Sequence, residues 1–178
     1  MKVTEDGNET GTPSQLQLEQ YARTLGFHLR LLGALIPEMT KFASNGPEIL
    51  TNACLDSFLT HARLLIEFVE GRQPERTPPT HHKNDLQPKT FGLPDWSIGV
   101  SLDRYLELID QRHSHLTLVR AKDSVGWHWP VDQMANRIIA AYEDFADRLR
   151  DDGFAECADL ISAGAREALT SMKQASLG

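Results

Sequence analysis

The residues best equipped for chemistry lie in one stretch, Leu102 to Arg120 (LDRYLELIDQRHSHLTLVR), which sets Arg112, His113 and His115 almost side by side. An imidazole exchanges protons near neutral pH and a guanidinium steadies negative charge, so the pair Arg112 and His115 is a candidate acid-base centre. Helical spacing of about 100° per residue puts Leu102, Tyr105, Leu106, Leu108, Ile109, Leu116 and Val119 on one arc of roughly 160°. Arg112 and His113 fall inside that arc and His115 at its edge. Such groups are rarely buried without a partner. The competing reading is packing, in which Arg112 closes an ion pair with a carboxylate of another helix and His115 caps a neighbouring carbonyl.

His28 and His61 also fall on predicted helices, on or near the faces that should meet in the core. A metal site inside a bundle needs three converging ligands, and His113 and His115 diverge by roughly 160°, so at most one of them could join His28 and His61. No acidic residue with ligand spacing accompanies them. We therefore expect buried, hydrogen-bonded histidines, with no metal and no cofactor, and take His61 and His113 as candidate binding residues. His81 and His82 are adjacent loop residues without Cys or carboxylate partners. Arg63, a further candidate binding residue, sits four residues before Glu67 and is expected to pair with it; Trp127 and Trp129 read as core anchors, with Trp127 the candidate stacking platform. Phosphate loops, a nucleophile elbow, paired CxxC motifs and HExxH are absent,.

The segment DQRHSH, together with THARLLIEF in the preceding helix, resembles the HEPN superfamily of small all-helical bacterial proteins. Many of these are ribonucleases of toxin–antitoxin and phage-defence systems that act as dimers. In that family an arginine and a histidine four to six residues later line a cleft between protomers. Here Arg112 and His115 have two residues between them, a departure from the pattern, whereas Arg23 and His28 in RTLGFH have the family spacing within the first helix. The resemblance implies metal-independent RNA cleavage by Arg112 and His115, a homodimer, and an antitoxin-like protein partner. The leading expectation is an interaction or regulatory module without catalysis, with the ribonuclease as the alternative and a bundle that binds a metal or small molecule through inward-facing His as a further one.

The elements that would position these groups are helices. Residues 1–13 read as a polar tail, and 14–174 as one domain, an all-α antiparallel bundle of four to five helices. Leu18, Ala22, Leu25, Leu29, Leu32 and Ile36 recur at helical spacing, and Pro37 should bend or end that helix. A second helix runs from about Pro47 to Glu70 and a third from a Ser101 cap to Arg120; a fourth spans Val131 to Asp151, and the last runs from Phe154 to Met172. Between Gly71 and Val100, five prolines predict one long irregular loop, with Phe91, Leu93 and Trp96 fastening its second half,. Several helices carry apolar arcs wider than one neighbour needs, which again suggests a homodimer.

Eighteen Lys and Arg against 25 Asp and Glu leave a net charge of −7, which opposes unspecific binding to nucleic acid or anionic membranes,. Cys54 and Cys157 fall in apolar stripes and read as free buried thiols, as in a reducing compartment. No apolar run approaches the roughly 20 residues that span a bilayer, and the chain's polar start lacks a signal sequence's apolar core. The expectation is a cytoplasmic, membrane-free protein.

Overall fold

Ser14 begins the first helix: its hydroxyl accepts the Gln17 amide at 3.3 Å, while the Gln17 side chain accepts the Ser14 amide at 2.8 Å,. In the computed structural model, which describes residues 13–70, 86–110 and 129–175, this capping box opens α1 (Gln15–Asn45). It is followed by α2 (Glu48–Glu70), a 3-10 turn (Pro88–Phe91), α3 (Asp103–Ile109), α4 (Val131–Asp151) and α5 (Ala155–Ala175). The protein is an all-α bundle.

Contacts between the helices give their directions. His28 meets His61, and Arg150 near the end of α4 meets Asp159 near the start of α5, so α1/α2 and α4/α5 are antiparallel hairpins. Leu65 and Phe68 face Tyr142 and Phe145 in the same order, so α2 and α4 run parallel. Likewise α1 runs parallel to α5, because Gly26 lies against Leu160 and Gly164, and Gly33 against Ala168. A parallel neighbour requires the chain to travel back along the bundle between α2 and α4, and α3 makes part of that return. Its start is held at the end of α2, where the Glu70 carboxylate accepts the Leu102 amide, and Asp110 just after its end meets Arg63, nearly two turns earlier on α2.

The periodic apolar stripes become the core. Leu25, Leu29, Leu32, Phe58, Leu65, Ile66, Ile138, Tyr142, Phe145, Leu149, Ile161 and Ala165 are all buried. At its centre Phe68, Phe91, Tyr142 and Phe145 pack with ring centroids 5.2 to 6.5 Å apart. The Tyr142 hydroxyl, pushed well above its ordinary pKa range by burial, donates to the Leu65 carbonyl at 3.0 Å.

Three local expectations are refined. The first helix continues through Pro37 to Asn45, because Ile36 and Met39, buried on either side, hold these turns to the core despite the lost amide donor,. Ser101 does accept the Asp103 amide at 3.1 Å, but the Leu102 amide goes to Glu70, a cap supplied by another helix. The loop expected over 71–100 contains a short element of its own: Pro88 opens the 3-10 turn, Gly92 closes it at φ 78°, and Phe91 and Leu93 enter the core as anticipated,.

Candidate functional site

Helix α2 offers polar groups in two directions. His61 and Arg63 are two residues apart and so point about 160° away from each other around the helix axis, His61 toward α1 and Arg63 toward α3.

On the α1 side the Nδ1 atoms of His28 and His61 lie 2.9 Å apart, with the rings tilted by 42°. One Nδ1 must carry a proton and the other a lone pair, so the two imidazoles hold complementary tautomers. Both are half-buried. Burial lowers the pKa of His28; His61 is lowered by burial first and then by repulsion from His28,. The neutral pair is thus the favoured state near pH 7. The sign of the linkage follows. Above the ordinary histidine pKa of 6.5 both folded and unfolded chains are neutral here and the pair contributes no pH dependence. As the pH falls through that value the unfolded chain takes up protons that the folded pair resists, so stability declines until the folded pair also titrates. We expect the melting temperature to fall between about pH 7 and pH 5.5, and His61→Phe to flatten that slope, while the other five histidines contribute equally to both proteins,. Equal slopes in thermal melts would show that the pair is uncoupled from folding.

Around the pair, the Phe27 ring stands edge-on to His28 at 5.7 Å, with the Arg30 guanidinium 6.0 Å above it. Leu64 follows His61 by less than one turn of α2. Phe27 and Leu64 remain 47% and 46% exposed, and Leu16, Ile49 and Leu50 in the first turns of the same helices are exposed as well.

On the α3 side, Arg63 donates through Nε to Glu67 at 2.8 Å and through Nη1 to Asp110 at 2.6 Å, with its side chain only 21% exposed. The pairing with Glu67 was legible as an i,i+4 step. Asp110 was not, because it lies 47 residues further on and is delivered by the return of α3. The guanidinium therefore acts as a clamp between helices, fastening α3 two residues ahead of Arg112.

Arg112, His113, His115 and Trp127, together with the loop histidines His81 and His82, lie outside the described residues. Arg23 is exposed on α1, whereas His28, five residues on, is engaged with His61. Trp129 is half-buried against the core, as an anchor should be. Cys54 and Cys157 are free thiols; Cys157 is buried, and its pKa is raised by burial first and then by Glu19 and Glu156. A cleft of about 610 Å³ that sequence inspection did not single out lies between the 92–97 segment and α4, lined by Trp96, Asp144, Asp147, Arg148, Asp151 and Asp152. Its carboxylates disfavour phosphate groups. Among the described residues no three His, Cys, Asp or Glu side chains gather as a metal cluster, and no helix is long and apolar enough to cross a membrane.

No family model, no curated protein and no solved structure matches the chain.

Proposed function

We propose that the protein is a helical interaction module that pairs with a second copy of itself through the outer face of α1 and α2. The observation that carries this reading is the exposure of Phe27, whose ring stands against His28, and of Leu64, less than one turn after His61. Charge distribution supports a second copy as the occupant. The chain carries −7 overall, so two copies repel, yet residues 21–37 of α1 include Arg23 and Arg30 and no Asp or Glu,. That stretch of α1 adds no carboxylate of its own to the repulsion, although Glu167 of α5 reaches Arg30 at 3.6 Å. A two-fold axis over the pair would seat Phe27 of each copy beside Leu64 of the other, the self-complementary arrangement of an isologous interface. The resemblance to the HEPN superfamily favours a regulatory setting in toxin–antitoxin or phage defence, with an antitoxin-like protein as further partner.

Light scattering at micromolar concentration should give twice the 20.0 kDa chain mass. Leu64→Glu should weaken the association at least about 30-fold, as expected when a central apolar anchor is lost. A clean monomer sinks the proposal. The same preparations should be incubated with RNA: cleavage that disappears in His115→Ala with the fold intact would instead favour the metal-independent ribonuclease built on Arg112 and His115.

A further inference from the structure

His28 and His61 meet as a hydrogen-bonded pair. Each imidazole turns the same nitrogen, Nδ1, toward the other, and that is the geometry of two ligands converging on one point. Hydrogen bonding uses it at 2.9 Å. In tetrahedral coordination, with zinc-to-nitrogen bonds of about 2.05 Å, two histidine nitrogens stand about 3.3 Å apart. The pair needs to open by only about 0.4 Å, a small tilt of two half-exposed rings, to admit a metal ion between them.

We propose that His28 and His61 form a two-histidine site for a first-row divalent transition metal of the zinc type, bound through both Nδ1 atoms. The ligand class follows from the donors, since neutral imidazole suits zinc, copper and nickel, whereas magnesium and calcium require oxygen. Among the described residues no third His, Cys, Asp or Glu joins the pair, so the protein would supply two ligands and water the rest, unlike a three-ligand site in a bundle core,. Both histidines are half-buried rather than sealed in the core. Resistance to protonation keeps both rings neutral at pH 7, and to bind a metal the ring that donates from Nδ1 shifts that proton to Nε2, so that both Nδ1 lone pairs face the ion,. The local charge does not forbid a cation, because Arg30, the nearby guanidinium that stacks on Phe27, is itself engaged by Glu167 at 3.6 Å. The site needs one chain only, and because the proposed pairing seats a second copy over the same face, zinc uptake is read together with chain mass.

Chelator-treated protein titrated calorimetrically with zinc at about pH 7.5 should take up one zinc per chain at micromolar concentrations. His28→Phe and His61→Phe should each abolish that uptake, while His81→Phe/His82→Phe should leave it unchanged. Zinc should also raise the melting temperature of the wild type and of the loop variant but of neither pair variant. A second measurement requires no substitution: in the wild-type protein, zinc should shift the imidazole resonances of His28 and His61, and the effect should fade as the pH is lowered below about 6. Uptake that survives in either pair variant overturns the site, as do unshifted His28 and His61 resonances or the absence of saturable binding. Chain mass by light scattering, read in the same samples, separates failure of the metal site from failure of dimerisation.

Discussion

Truncating Phe145 to Ala should lower folding stability by about 4 kcal/mol, in the range for loss of a fully buried phenyl ring. Phe145 has no exposed surface and is where three parts of the chain meet. Its ring lies 5.2 Å from Phe68 on α2, 5.6 Å from Phe91 in the 3-10 turn, and 5.0 Å from Trp96 in the segment that follows. Removing it leaves a cavity that these neighbours cannot collapse to fill, because Phe68 and Phe91 are also held by each other and Phe68 by Tyr142,. The loss should not be evenly spread. The segment from Leu86 to Trp96 has no long helix of its own and is fastened mainly by this cluster, so its amides should exchange hydrogen faster than those of α1 and α5. Urea denaturation with hydrogen exchange checks both halves. A change below about 1.5 kcal/mol would mean that the aromatic centre repacks freely, contrary to its burial.

The second large effect is expected at Gly164→Ala, where two physical effects oppose each other and the sign is the result. Within a helix, alanine should gain about 1 kcal/mol over glycine. In α5, however, a methyl group at Gly164 would fall 2.6 Å from the Cα of Gly26 and 2.8 Å from its carbonyl carbon. Every nearby atom belongs to the backbone of α1, so no side-chain rotation relieves the overlap. The helices must separate. Gly26 faces the same constraint from the other side, 2.7 Å from the Leu160 carbonyl oxygen, so the crossing is tight along its length. Overpacking of this kind costs about 1 to 3 kcal/mol and here also loosens contacts of Leu25, Leu29 and Ile161, giving a net destabilisation of about 2 kcal/mol. Thermal or chemical unfolding of Gly164→Ala beside an exposed helical control such as Ser171→Ala reads the sign directly. A more stable Gly164→Ala protein would show that helix propensity outweighs the close approach.

Fold class, helix number and most of the core were legible because each rests on a local rule. Three- and four-residue apolar steps marked α2, α4 and α5 to within a few residues and the start of α1 near Ser14, and Phe91 and Leu93 stood out as apolar residues in a proline-rich connection. Arg63 with Glu67 was legible for the same reason, both partners lying on one helix. The convergence of His28 and His61 was half legible: their helical angles set each on an inward face, but angle alone carries no register between two helices.

What the tertiary structure decided is everything that depends on that register. The hairpin of α1 and α2 brought two Nδ1 atoms to 2.9 Å, and the backward run of α3 carried Asp110 to Arg63. The parallel contact of α1 and α5 turned Gly26, Gly33 and Gly164, otherwise weak points in helices, into the surfaces of closest approach. Periodicity in one segment specifies which side of a helix is apolar. Which helix covers that side, in which direction and at what offset, is set by the shapes of two surfaces fitted together and by the length of chain between them, and those are properties of residue pairs far apart in sequence.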